Sequence, residues 1–392
     1  MAHYQYLIVG ASMAGDAAVR GIRDADPSGA IGLIGAEPDP PYNRPPLTKG
    51  LWKGQQEEEI WRATTDLGAT LHLGRTARSV DVAAKRVTDD QGEAYTYDRL
   101  LLATGGTPKR LEIPGERILY YRTYRDYEQL RALSERGQRF AVIGGGFIGS
   151  ELAAALAMNG KTVTLILRGK GIASGMFPAG LSAFLNTYYT DKGVEVVTGE
   201  AVSAVSQTGR ATAVSTNAGR TLDVDGVVAG VGIRPNTELA QAAGLRVDDG
   251  ILVDQHLRTS QAEVFAAGDV ARFYNPALGE YVRVEHEDNA NTMGQAAGRN
   301  MGGQAVTYDH LPFFYSDLFD LGYEAVGDLR ASLTIVEDWK DPYREGVIYY
   351  LRGGRVRGVL LWNVWDQVDN ARRLIAEPGP FGVDDVKGRL PA

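Results

Sequence analysis

Two glycine-rich turns, each set between an apolar strand-like run and a helical pattern, constrain this chain more than any other feature. Near the start, Tyr6-Leu-Ile-Val9 leads into Gly10-Ala-Ser-Met-Ala-Gly15, and residues 16–23 follow a helical pattern. A second apolar run, Ala30-Ile-Gly-Leu-Ile34, ends at Glu37, about 20 residues beyond the turn, the spacing of a ribose-binding acid. Gly10 permits the tight turn and Gly15 the close approach of helix to strand. The helix then points unpaired N–H groups at a pyrophosphate. Ser12 stands where a second glycine is usual; it is small enough for backbone to approach a phosphate. Ala14 completes this candidate binding turn.

The pattern recurs. Phe140-Ala-Val-Ile143 precedes Gly144-Gly-Gly146-Phe-Ile-Gly149, a full G-x-G-x-x-G. Residues 150–158 read as a helix closed by Asn159-Gly160, and Thr162-Val-Thr-Leu-Ile-Leu167 reads as the next strand. Gly144, Gly146, Phe147, Ile148 and Gly149 are the candidate contacts of this second dinucleotide site. With the second strands aligned, Ile31 to Glu37 lies over Val163 to Gly169, so the acid of the first copy becomes a glycine between Arg168 and Lys170. An acid there binds a ribose 2′-OH and repels a 2′-phosphate, whereas arginine accommodates the phosphate. The first site therefore suits an unphosphorylated adenosine ribose such as that of FAD, and the second suits NADPH. The alternative is that Arg168 and Lys170 are solvated charges and that NADH binds with less selection.

Composition narrows the chemistry. The chain has no cysteine, which excludes disulfides, thiolate metal sites, cysteine-held clusters and a redox-active dithiol. Redox chemistry must then belong to a bound cofactor. No His, Asp and Glu spacing suggests a metal site. A net charge of −8 argues against nucleic acid as a partner. No apolar run is long enough to span a bilayer, and residues 1–10 lack the marks of a signal peptide, so the expected location is cytoplasmic, with no membrane association. His286 and His256 read as structural and surface histidines, respectively.

Further motifs follow in order. Pro41-Tyr-Asn-Arg-Pro-Pro-Leu-Thr-Lys49, Leu101-Leu-Ala-Thr-Gly-Gly106, Gly230-Val-Gly-Ile-Arg-Pro-Asn236 and Val264-Phe-Ala-Ala-Gly-Asp269 are joined by Glu285-His-Glu-Asp-Asn-Ala290 and Phe314-Tyr-Ser-Asp317. Over nearly its whole length the chain resembles the FAD-dependent pyridine nucleotide-disulfide oxidoreductases, in the branch of ferredoxin and rubredoxin reductases and close to apoptosis-inducing factor. The resemblance implies FAD contacts at Arg44, Lys49, Ala103, Thr104, Gly105, Asp269, Glu287, Asn289, Ala290 and Tyr315, and a nicotinamide contact at Gly232. It also implies that Lys49 sits near flavin N5 and pairs with Glu151, which makes these two the candidate catalytic residues. Two departures stand out: Glu287 replaces an aromatic residue, and Tyr315 replaces tryptophan.

The expected fold is α/β, with two Rossmann-like dinucleotide-binding domains and a C-terminal α+β domain. The domains read as 1–112 and 237–310 for FAD, 113–236 for NAD(P) and 311–392 for the C-terminal part. In that design the flavin sits between the domains. Residues 345–363 read as a β-hairpin turned by Gly353-Gly354, with a helix over 364–375. The expected activity passes hydride from NADH or NADPH to FAD and electrons onward to a ferredoxin- or rubredoxin-type protein. Arg352, Arg355, Arg357, Arg372 and Arg373 are candidate docking charges. The alternatives are a redox-sensing protein like apoptosis-inducing factor, with slow turnover and redox-controlled dimerisation or partner binding, and an NAD(P)H oxidase or quinone reductase. Monomer and homodimer both stay open.

Overall fold

The apolar run before the first glycine turn becomes the strand Ala2–Val9 of a parallel sheet. Parallel strands are covered on both faces, so they read as continuous apolar runs rather than as alternation; Leu7 and Ile8 are accordingly fully buried. The computed structural model describes residues 1–114, 117–208 and 211–391. Within it the chain forms two units, one of Met1–Arg44, Gln56–Thr107 and Arg234–Pro312, the other of Pro45–Gln55, Pro108–Ile233 and Phe313–Ala392.

In the first unit, Ala69–Leu73, Ile31–Gly35, Ala2–Val9 and Ala94–Leu102 lie side by side in parallel, and Val264–Ala266 joins the far end of Ala94–Leu102. Arg86–Asp89 and Ala77–Asp81 continue the sheet antiparallel. The helix Met13–Ala25 starts directly after Ser12, three residues earlier than the sequence pattern suggests. It packs backbone to backbone on the helix Glu287–Met301. A Cβ at Gly298 would lie 2.1 Å from the Ala18 carbonyl oxygen, and one at Gly294 would lie 2.4 Å from that of Ala14.

The second unit repeats the parallel arrangement in the order Val194–Thr198, Thr162–Leu167, Arg139–Ile143, Gly226–Ala229, Ile118–Tyr120. It also contains an antiparallel five-stranded sheet built from Phe313–Leu318, Leu321–Gly327, Arg355–Trp362, Glu345–Arg352 and Thr334–Asp341. The sequence-based division separates these two parts at 236 and 311. They share an aromatic core instead: the Phe177 ring lies 5.3 Å from Tyr323 and 5.6 Å from Trp362, and Tyr189 lies 5.0 Å from Phe319. The hairpin turns on Gly353 and Gly354, both at positive φ. The following helix is Val368–Ala376, so residues 364–367 of the expected helix are loop; Asn363 and Asp366 adopt positive φ, which breaks a right-handed helix. Among the described residues no helix is long and apolar enough to cross a membrane.

Candidate cofactor sites and the Lys49–Glu151 pair

The first glycine turn is a forced geometry. Gly10 has φ +124°, and a Cβ there would lie 2.0 Å from the Ala103 carbonyl oxygen. This contact explains why glycine stands at position 10, beside the backbone of Ala103, the residue after Ala94–Leu102. Gly15 in turn lies against the Gly10 carbonyl. Ser12 is the N-cap of Met13–Ala25, and its side chain makes no capping bond. Glu37, just beyond Ile31–Gly35, accepts the Tyr42 hydroxyl at 2.6 Å and pairs with the Arg44 guanidinium. Arg44 also donates to the Tyr42 oxygen at 3.0 Å. Burial opposes its charge, but the fields of Tyr42 and Glu37 overcome this and hold its pKa above the ordinary value.

Thr104 and Gly105 are fixed by Asn236. Its amide donates to the Thr104 carbonyl at 2.9 Å, the Thr104 hydroxyl donates to its carbonyl at 2.8 Å, and its N–H bonds Gly105. Asp269 lies on the short turn Gly268–Val270, half-buried. His286 caps Glu287–Met301, and burial, partly offset by Asp269 and Asp288, lowers its pKa to about 4. Glu287 is half-buried in the helix's first turn. The Asn289 side chain is buried and spent within the protein: it donates to the Val284 carbonyl at 3.0 Å and accepts the Tyr308 hydroxyl at 3.0 Å. With Ala290 also buried, any ligand contact by this pair falls to the backbone. His256, expected at the surface, is half-buried against the Val306 carbonyl.

The sequence pattern did not reveal a lock around Asp16, the residue after Gly15. This fully buried carboxylate accepts Arg62 at 2.7 Å, Arg20 at 2.9 Å and Thr64 at 2.7 Å. Arg62 also bonds Asn43 at 2.8 Å and Asn291 at 2.9 Å, tying the residue beside Arg44 to two helices. A lone acid in a helical pattern gives no hint of partners so distant in sequence.

The second turn matches the first. Gly144 has φ +112°, and a Cβ would lie 2.3 Å from the Gly230 carbonyl oxygen. Gly149 lies against Gly144, whereas Gly146, the N-cap of Phe147–Met158, has nothing within 4 Å of where its Cβ would be. That open cradle over a helix N-terminus fits a dinucleotide phosphate. Ile148 is half-buried, Phe147 stacks edge-on against Phe314 at 5.2 Å, and Gly232 is exposed at φ +89°. Ile34 pairs with Val9, the residue before Gly10, and Ile166 pairs with Ile143, the residue before Gly144. Register therefore makes Glu37 and Gly169 equivalent. Leu167 is buried at the strand end, while Arg168 and Lys170 are exposed with no ion-pair partner among the described residues.

Within the second unit, Lys49 and Glu151 meet, with Nζ 2.7 Å from Oε1. Glu151 is 3% exposed and Lys49 13%. The helix carrying Glu151 is otherwise apolar, from Leu152 to Leu156, so its carboxylate must be paired. The short segment bearing Lys49 is closed on itself by the Trp52 indole, which donates to the Leu47 carbonyl at 2.8 Å, and is anchored outside by Asn159, which donates to the Trp52 carbonyl at 3.1 Å, and by Arg131, which lies over the Trp52 ring. Thr48 and Ser316 also donate to Glu151, and the Lys49 ammonium lies 5.2 Å from the centre of the Tyr315 ring, which is 37% exposed.

Of the candidate docking arginines, Arg357 lies within the strand Arg355–Trp362 and is only 5% exposed, so it presents little charge to solvent. Arg372 is half-buried, bonded to Asp369 at 2.9 Å and lying over Phe313. Arg352 and Arg373 are exposed and Arg355 is half-buried.

Comparison with known proteins bears on both turns and on the C-terminal hairpin. Residues 4–294 match the pyridine nucleotide-disulphide oxidoreductase family, and residues 336–377 match the C-terminal family of the mitochondrion-associated apoptosis-inducing factor. The chain is 34% identical to the ferredoxin–NAD(+) reductase component of the anthranilate 1,2-dioxygenase system of Burkholderia cepacia, over 95% of this chain and 94% of that one. It is also 34% identical to apoptosis-inducing factor 1, mitochondrial, of Dictyostelium discoideum, over 95% and 78%. The solved covalent complex of putidaredoxin reductase with putidaredoxin contains a chain that superposes with a TM-score of 0.89 at 30% identity, covering 96% of this chain and 94% of that one.

Proposed function

From a chain that belongs to the pyridine nucleotide-disulphide oxidoreductase family and is an enzyme of its ferredoxin-reductase class, we propose an FAD-dependent NAD(P)H reductase whose electron acceptor is a small ferredoxin- or rubredoxin-type protein. The observation that carries this reading is the non-equivalence of two otherwise matched glycine turns, one ending at Glu37 and the other at Gly169 beside Arg168. Bound FAD would supply the redox chemistry, accepting a hydride from reduced nicotinamide and releasing electrons singly. The absence of cysteine leaves no protein dithiol to share that work.

The chain's own residues bind and orient. The turn of Gly10, Ser12, Ala14 and Gly15 holds the FAD pyrophosphate, Glu37 takes the ribose beside Arg44, and Ala103, Thr104, Gly105, Asp269 and the residues 287–290 border the remainder. Gly144, Gly146, Phe147, Ile148, Gly149 and Gly232 hold the nicotinamide dinucleotide, and Arg168 with Lys170 admits a 2′-phosphate. Lys49, paired with Glu151, supplies the cation that favours reduced flavin, and Tyr315 offers an aromatic face. The test is chromatographic identification of the released flavin, with anaerobic bleaching of the holoprotein by NADH and by NADPH. FAD that either nucleotide bleaches supports the reading; a chain that takes up no FAD, or FAD that neither bleaches, contradicts it.

A second reading has its own support in the match of residues 336–377 to the apoptosis-inducing-factor C-terminal family. On that reading turnover is slow, and reduction governs dimerisation or partner binding. Reduction-dependent dimerisation with a long-lived charge-transfer band selects it.

A further inference from the structure

We propose that Thr48 and Ser316 are positioning residues for Lys49: each hydroxyl holds one oxygen of the Glu151 carboxylate, and together they fix the orientation in which that carboxylate grips the ammonium. The inference rests on the reading of Lys49 as the cation serving the flavin.

The geometry is a three-donor clamp on one buried carboxylate. The Thr48 hydroxyl donates to Oε2 at 2.5 Å. The Ser316 hydroxyl donates to Oε1 at 2.6 Å, the same oxygen that accepts Lys49 at 2.7 Å. The last torsion of a glutamate is broad and soft, so an ion pair alone does not fix the plane of the carboxylate against the lysine. One hydroxyl on each oxygen does. Thr48 and Ser316 are themselves 6% and 1% exposed, so water does not readily substitute for them.

Ser316 is held in turn. Its cross-strand partner Tyr323 is hydrogen-bonded to it and fully buried; burial keeps the Tyr323 pKa well above the ordinary phenol value, so it remains a neutral phenol. A serine hydroxyl has one proton and two lone pairs. With the proton committed to Glu151, it can accept the Tyr323 hydroxyl. The preceding residue, Tyr315, places its ring 5.2 Å from the Lys49 ammonium. Two consecutive residues of Phe313–Leu318 thus touch opposite members of the Lys49–Glu151 pair.

The test uses the full-length holoprotein with Thr48→Val, Ser316→Ala and Thr48→Ser, the last keeping the hydroxyl. Two quantities are read. One is the anaerobic flavin-reduction rate against nucleotide concentration. The other is the acylation rate of Lys49 relative to the exposed Lys387, by peptide mapping of both the holoprotein and the FAD-stripped protein. Thr48→Val and Ser316→Ala are expected to slow maximal reduction about tenfold, as for loss of one hydrogen bond to a charged group, with half-saturating nucleotide changed by less than about twofold. Lys49 acylation should rise in both, and Thr48→Ser should resemble the parent. Unchanged Lys49 acylation in the valine and alanine variants overturns the proposal, as does a Thr48→Ser variant as impaired as Thr48→Val. If acylation rises while reduction stays fast, and Lys49→Ala also reduces normally, the clamp stands and the flavin role of Lys49 fails.

Discussion

Lys49 is the side chain on which the proposed chemistry depends most, and removing it leaves Glu151 with its two hydroxyl donors. Lys49→Ala is expected to lose stability, because it strips the counter-charge from a buried carboxylate, but to retain FAD and to bleach at least tenfold more slowly with NAD(P)H, as for loss of a charged group acting at the reacting centre. An unchanged bleaching rate removes Lys49 from the mechanism. Arg168→Ala should raise the KM for NADPH while leaving that for NADH nearly constant; equal responses contradict a 2′-phosphate contact. His286 gives a pH signature. Its folded pKa of about 4 lies below the ordinary 6.5 because it is buried. Between those values the unfolded chain takes up a proton that the folded chain refuses, so stability falls as pH drops through this window. Thermal unfolding from pH 7 to 4 should show His286→Gln losing less stability than the parent; parallel losses overturn this. The Lys49–Glu151 pair was legible through its motif positions. The Thr48 and Ser316 contacts were not: they lie 103 and 165 residues from Glu151, and neutral hydroxyls leave no charge pattern to read.

At the scale of elements, the two glycine turns were legible in the sequence because only a strand, a tight turn and a helix satisfy that order. Helix starts were less so. Both helices begin inside the glycine motif, at Met13 and Phe147, because the turn residues themselves supply the first helical N–H groups. The turn also separates structural from ligand-facing glycines. Gly144→Ala forces a Cβ to 2.3 Å from a carbonyl at φ +112°, and should cost more than about 1 kcal/mol in stability. Gly146→Ala meets nothing and has an ordinary negative φ, so stability should stay within about 0.5 kcal/mol while nicotinamide affinity falls. Denaturant titration and equilibrium nucleotide binding check the pair; equal destabilisation contradicts the assignment. The residues before Val368 read as helix because their apolar spacing hides the positive φ at Asn363 and Asp366.

At the scale of the molecule, segments far apart in the chain make up each unit, and the grouping of the C-terminal strands with 108–233 was not legible in the sequence. It depends on aromatic contacts such as Phe177 with Trp362, which pair residues far apart in sequence. Likewise, five arginines near the C-terminus looked equivalent as docking charges until burial removed Arg357. What the acceptor is depends on the surface left over. The most direct measurement is anaerobic stopped-flow reduction of the holoprotein by NADPH, followed by mixing with a [2Fe–2S] ferredoxin, a quinone or oxygen. The account predicts that flavin is reduced rapidly and that the ferredoxin reoxidises it faster than quinone or oxygen does. Reduced flavin that persists in the presence of ferredoxin, or that quinone or oxygen reoxidises faster, contradicts it.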